Sequence, residues 1–184
     1  EMFLALFERD RLRERMMIGK LGLAMVPAVL AYLFLEEQFE AAYRSPVLAS
    51  VMLVVTGGVL MLPRWFQRPR GAGSEVGWIQ ALVMGVGQAV AILPGISRSG
   101  STIVAGMLCG AKPSRAAEFS FLLAVPAILG ALVVKARDFG QMRAADLGPY
   151  LAGTTAAFLF GILAVYGVLT SIRRGKFEYF GYYC

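Results

Sequence analysis

Apolar residues fall in long runs along this chain, and polar residues are confined to short intervals between them. The runs cover residues 18–35, 47–63, 76–94, 119–134 and 147–172. A helix needs about 20 mostly apolar residues to cross the hydrocarbon layer of a bilayer. At least four of the runs can span once flanking residues are counted. No stretch alternates convincingly with the two-residue period of a strand. The pattern predicts an all-α polytopic membrane protein, one integral membrane domain over residues 1–184. The polar intervals read as a basic amphipathic segment at 1–17, at the membrane face or solvated, then loops at 36–46 and 64–75. A tight turn is expected at 112–115, a mixed-charge loop at 136–146 and a basic loop at 173–176.

The region 76–111 departs from plain spanning helices. A helix starting at Val76 is expected to end at Pro94 and Gly95, because proline lacks an amide proton and disfavours helix at the residue before it. A second helix would begin near Ser99. Its apolar stretch, 99–111, is roughly 20 Å long at about 1.5 Å per residue, short for a full crossing. The expectation is a re-entrant helix hairpin over about 76–111, with the SRSG loop at its tip near mid-membrane. Irregular backbone is tolerated at that depth only where it is buried in protein or lines a cavity. Ala81 with Gly85, and Gly106 with Gly110, have the spacing of close helix packing. For the second pair ordinary small-residue packing is the favoured reading.

Composition agrees with a membrane setting: 58% of residues are hydrophobic, 16% are charged, histidine is absent, and the mean hydropathy is +0.64. The formal net charge of +6 is scattered between apolar runs, so it reads as loop charge and not as a nucleic-acid surface. Lys and Arg cluster at 9–20, at Arg64, Arg68 and Arg70, at Lys112 and Arg115, and at Arg173, Arg174 and Lys176. With a re-entrant hairpin all these fall on one side, the cytoplasmic one by the positive-inside rule; Lys135, Arg137 and Arg143 fit it poorly. The first apolar run follows a basic segment, which is not the pattern of a cleavable signal peptide. Cys109 and Cys184 have no histidine near them, so no metal site follows from them.

One charge stands where charge is expensive. Residues 85–102 read GVGQAVAILPGISRSGST, and Arg98 is the sole charged residue between Val76 and Ala111. Charges at membrane depth face a protein interior or a water-filled cavity. Ser97, Ser99, Ser101 and Thr102 surround Arg98, and Gly95 and Gly100 free the backbone. Hydroxyls, loose amides and a fixed cation together suit a phosphate group. The alternative is a structural arginine that caps carbonyls of the broken helix.

The pattern GxxQxxAxxPGxSRSGxT, followed by AAEFSFLLAVPAILGA at 116–131, resembles the bacterial undecaprenyl-diphosphate phosphatases of the bacitracin-resistance type. The resemblance runs over essentially the whole chain, which would correspond to roughly the last two thirds of a member. It implies hydrolysis of undecaprenyl diphosphate to undecaprenyl phosphate and phosphate. That step recycles the carrier lipid of cell-wall synthesis in the bacterial inner membrane and confers bacitracin resistance. It implies an inverted-repeat architecture of which this hairpin is the second half, a polyprenyl diphosphate lipid as partner, and a divalent cation, Mg or Ca. A homo-oligomer is compatible with it. The family's first hairpin carries a glutamate-rich motif and a histidine, and nothing here matches them. The chain starts at Glu1 without methionine and stops after FEYFGYYC, so it is expected to be an internal portion of a longer protein.

On this resemblance Arg98 would bind the diphosphate bidentately and stabilise charge in the transition state. Ser97, Ser99, Gly100 and Thr102 would offer hydroxyls and amides to phosphate oxygens, helped by the N-terminus of the second helix. Ser97 or Ser99 is alternatively a nucleophile, though no base to activate it is in view. Gln88 bonds either substrate or water, or makes an interhelical hydrogen bond. Glu118 reads as a boundary charge paired with Arg115, with an active-site role as the alternative, and Pro126 as a helix kink. Broken helices around a central charge also build transporter sites, so a carrier of polyprenyl phosphate or another anion is the second function class. An ion channel fits less well, since a lone arginine repels cations and no ring of acids is present.

Overall fold

A computed structural model describes residues 2–66, 75–135 and 147–184, with side chains at 14–65, 75–133 and 148–184. Every regular element among them is a helix: α1 Met2–Tyr43, α2 Pro46–Phe66, α3 Trp78–Val90, α4 Arg98–Leu108, α5 Pro113–Lys135, α6 Leu147–Arg173 and α7 Tyr179–Tyr183. Four stretches, Glu14–Tyr43, Pro46–Trp65, Pro113–Val133 and Gly148–Arg173, are long and apolar enough to cross a membrane. The chain is a multi-pass helical membrane protein. The basic loop with Arg68 and Arg70, the 136–146 loop and the side chains of residues 1–13 lie outside the described residues.

Three boundaries differ from the sequence expectation. The interval 36–46 is helical to Tyr43, so α1 runs through it. Its backbone bends at Leu35, where φ is −125° and ψ is 20°. That bend turns the end of α1 towards the hairpin, and the Tyr43 hydroxyl donates to the carbonyl of Ile92 at 2.9 Å. Next, α3 stops at Val90, ahead of Pro94, and residues 91–97 form turns. Finally, residues 112–115 are not a turn. α5 starts at Pro113, whose missing amide proton costs nothing in a helix's first turn, and the turn precedes it.

That turn explains Gly110. Its φ is +86°. Gly110 N donates to Met107 O at 2.9 Å and Ala111 N to Gly106 O at 3.0 Å, the two bonds of a Schellman cap closing α4. Gly106 serves packing: a Cβ there would lie 2.9 Å from Met84 Sδ and 3.1 Å from Ala116 Cβ. The pair at 106 and 110 is therefore one packing glycine and one cap.

α3 and α4 form an antiparallel hairpin at the centre of the bundle. Gln80 Nε2, near the start of α3, is 3.5 Å from the carbonyl of Cys109, just past the end of α4, so the open ends of the hairpin lie together. α1 runs alongside α3, with Gly19 against Trp78 and Ala24 against Gly85. α2 backs α4 through Leu60 against Gly100, and α5 returns antiparallel to α4. The buried core is small-residue rich where backbones approach, with Ala24, Ala81, Ala116 and Ala117, and is filled by Met84, Ile103, Phe119 and Leu123. α6 leans on α5 and is exposed along most of its length. Arg64 reaches Glu178 at 3.5 Å. The ends of α2, α4 and α6, with Lys112, Arg115, Arg173, Arg174 and Lys176, therefore gather at one end of the bundle.

Packing makes a stability prediction. A Cβ on Gly85 would run into the carbonyl of Ala24, whereas one on Gly130 of α5 meets nothing within 4 Å. Gly85→Ala should destabilise the bundle by about 1–3 kcal/mol through overpacking. Gly130→Ala should be neutral or stabilising by up to about 1 kcal/mol from helix propensity. Unfolding of the detergent-solubilised protein measures both, and equal midpoints for the two variants would contradict the close α1–α3 contact.

Candidate functional site

The site is the turn at 91–97 and the first turn of α4. Gly95 has φ +89°, and a side chain there would collide with the carbonyl of Ala49 on α2. Glycine therefore meets both the backbone conformation and the close approach. Ser97 is the N-cap of α4, and its Oγ accepts from Gly100 N at 3.2 Å. Its carbonyl accepts from Ser101 N at 2.9 Å. The amides of Arg98 and Ser99 donate to no protein group among the described residues. Two first-turn amides are thus spent on the cap, and two remain at the positive end of the helix dipole.

Arg98 crosses the bundle from that turn. Its Nε and Nη2 donate to Gln88 Oε1 at 3.0 and 2.7 Å. Nη2 also donates to the carbonyl of Leu123 on α5 at 2.9 Å. Leu123 lies beside the turn that Pro126 opens, since Pro126 supplies no amide proton to Leu122. Gln88 is 4% exposed, and its own amide nitrogen is 3.3 Å from Met25 Sδ on α1. One arginine thereby joins α3, α4 and α5. Nη1 has no protein partner among the described residues, and no carboxylate there pairs with Arg98.

The residues singled out from sequence separate into two groups. Ser97, Arg98 and Ser99 are half-buried at the start of α4, and Ser99 Oγ makes no hydrogen bond among the described residues. Gly100 is buried beneath them, with Leu60 and Ser97 where a Cβ would go. Thr102 points the other way. It is 1% exposed, and its hydroxyl lies 2.6 Å from Ser120 Oγ and 2.9 Å from Arg98 O, so it is engaged in the α4–α5 interface. Gln88 makes the interhelical bond. Because Gln88 occupies the Nε–Nη2 edge of the guanidinium, that edge is closed to a second bidentate partner, and Nη1 is the free donor. Of the structural reading of Arg98, the carbonyl contact is present, but on Leu123 of α5 and not on the broken helix. Glu118 pairs with Arg115 at 2.8 Å on the surface.

Sequence reasoning missed Thr56. Its hydroxyl donates to Gly95 O at 3.0 Å and accepts from Ser97 N at 3.1 Å. A threonine in an apolar run is the available signal: a polar residue in a spanning helix commonly finds an interhelical partner. Ser120 and the Leu123 carbonyl were hidden in the same way.

The family model described as bacitracin resistance protein BacA matches residues 1–184. The chain is 43% identical over 161 residues to the undecaprenyl-diphosphatase of Salinibacter ruber, covering 87% of this chain and 58% of that protein. It is 39% identical over 176 residues to the undecaprenyl-diphosphatase of Rhodopirellula baltica, covering 94% and 68%. With that of Methanobrevibacter smithii it shares 37% over 163 residues, covering 88% and 59%. The chain spans about three fifths to two thirds of the length of these curated relatives.

The Thr102–Ser120 bond predicts a non-additive pair. Thr102→Val and Ser120→Ala should each destabilise by about 1–3 kcal/mol, because each leaves a buried partner short of a bond. The double variant should lose clearly less than the sum. Strict additivity in chemical unfolding would mean the two hydroxyls are not bonded.

Proposed function

The chain belongs to the bacitracin resistance protein BacA family, and from that premise we propose that its hairpin is the phosphate-binding half of an undecaprenyl-diphosphatase site in a bacterial plasma membrane. One observation carries the reading. Arg98 is a guanidinium inside an apolar bundle, held by two neutral oxygen acceptors and paired with no carboxylate among the described residues. Its positive charge is therefore oriented and uncompensated among the described residues, and the phosphate groups of a lipid diphosphate supply a matching anion. The free amides of Arg98 and Ser99 and the Ser99 hydroxyl add donors at the same helix start.

In this reading water attacks the terminal phosphorus of the lipid diphosphate. The phosphoanhydride P–O bond breaks, and undecaprenyl phosphate and inorganic phosphate leave. Gln88 and the Leu123 carbonyl lock two nitrogens of Arg98, so Nη1 meets the phosphoryl oxygens where charge develops. Locking it beforehand avoids reorganisation during the reaction. Ser97, spent on capping, serves the shape of the turn; Ser99 serves as ligand. Thr102 and Gln88 act through packing and through Arg98. Among the described residues no three acidic, cysteine or histidine side chains come together for a metal ion, so no step is assigned to the divalent cation that the family resemblance implies.

The hairpin is proposed to enter and leave the bilayer on the basic, cytoplasmic face. α3 has 13 residues and α4 has 11, each well short of the about 20 needed to cross. The described residues flanking the hairpin include Glu75 and Ser114. Single cysteines at these two positions, in a background without Cys109 and Cys184, should both react with an impermeant thiol reagent from the cytoplasmic side. Reaction from opposite sides would rule out the re-entrant arrangement.

The charge argument has its own test in the full-length protein. Gln88→Glu keeps the acceptor and the shape but sets a carboxylate against Arg98. Affinity for the lipid diphosphate should then fall on the order of tenfold, about 1.4 kcal/mol. Arg98→Lys should lose on the order of a thousandfold in turnover, because a point charge cannot both hold Gln88 and Leu123 and reach the phosphate. Phosphate release from the purified lipid and vesicle binding read these out. Unchanged affinity in Gln88→Glu would remove the uncompensated charge as the basis of recognition. Binding without phosphate release in the wild type would replace hydrolysis by carriage.

A further inference from the structure

We infer that Thr56 on α2 is a positioning residue that sets the phosphate-binding turn from the opposite side of the bundle. The inference rests on the phosphatase reading above and deepens it. Thr56 is 2% exposed. A threonine hydroxyl within a helix ordinarily bonds back to a carbonyl one turn earlier. Here it donates to Gly95 O at 3.0 Å, outside its own helix, and accepts from Ser97 N at 3.1 Å.

Those two backbone groups flank Ile96 and belong to residues with no helical ladder to satisfy them. Gly95 is the positive-φ residue of the turn, and Ser97 is the cap from which α4 starts. A single oxygen thus pins the backbone on both sides of Ile96. The direction in which the Arg98 and Ser99 amides point, and the root of the Arg98 side chain, follow from where Ser97 is held. Arg98 is then tied at its far end by Gln88 and Leu123. Thr56 fixes the near end and Gln88 the far end. The β-branch of threonine limits its rotamers inside the helix, so the hydroxyl is aimed before substrate arrives.

The test uses the full-length enzyme with Thr56→Val, which keeps the shape and removes the hydroxyl, and Thr56→Ser, which keeps the hydroxyl. Thr56→Val should lower kcat on the order of 10- to 100-fold with KM within about threefold, since a misplaced group costs rate more than ground-state binding. Thr56→Ser should stay within about threefold of wild type in both constants, because its hydroxyl makes the same two bonds. A second measurement is independent of turnover. A cysteine at Ser99, with Cys109 and Cys184 replaced, should react faster with a thiol reagent in the Thr56→Val background than with Thr56 intact or in the Thr56→Ser background. Should Thr56→Val not accumulate folded, Thr56→Cys is read by the same criteria, its thiol being a weaker donor and acceptor.

Equal kcat in the Val and Ser variants, with unchanged labelling at position 99, overturns the assignment. So does a loss in Thr56→Ser with Thr56→Val near wild type, which would make the methyl and not the hydroxyl the important group. A wild-type enzyme that releases no phosphate sinks the phosphatase reading alone, because the labelling comparison still decides whether Thr56 holds the turn.

Discussion

Backbone polar groups and a charge placed inside an apolar bundle have no water to turn to, and each must find a partner in the protein. The break between α3 and α4 creates this demand: it frees the groups around 91–97 and introduces Arg98. The surrounding helices are arranged to answer it. Thr56 satisfies Gly95 and Ser97 from α2, Tyr43 reaches Ile92 from the bent end of α1, and Gln88 and Leu123 hold the guanidinium from α3 and α5. No buried side-chain nitrogen or oxygen among the described residues is left without a partner.

Such short bonds require close backbones, and small residues make them close. Ala24 faces Gly85, and Gly106 lies between Met84 and Ala116. In a membrane there is little hydrophobic drive between helices, so contact of this kind and interhelical hydrogen bonds carry the association. Among the described residues the outer helix, α6, shows neither and is exposed along most of its length. The rigidity of the centre has a functional reading. A cation whose orientation is set before a phosphate arrives stabilises developing charge without reorganising.

The spanning helices and the hairpin were legible in the order of residues, because hydrophobic length and an isolated proline-glycine step act locally. The errors had local causes too. The stretch at 36–46 looks like a loop because Glu36, Glu37, Glu40 and Arg44 are polar, yet polar residues are compatible with helix where they meet solvent, and α1 continues through them. Pro94 was the expected stop for α3, but the helix ends at Val90, four residues earlier, in turns that only the neighbouring contacts explain. Gly110 resembled a packing glycine because a sequence spacing does not reveal a positive φ.

By itself the sequence determined the membrane class, that at least four helices are long and apolar, the break in the hairpin and the position of Arg98 just after it, all of which follow from hydropathy and from the steric rules of proline and glycine. Tertiary structure decided which hydroxyl faces which way. Ser99 and Thr102 sit three positions apart in one motif, yet Thr102 turns into the α4–α5 interface while the hydroxyl of Ser99 makes no hydrogen bond among the described residues. It also decided that Gln88 orients Arg98, and that Thr56, far away in sequence, holds the turn. Such pairings depend on the distance between helices, and that distance is set by side chains packing across the bundle, which no local pattern encodes.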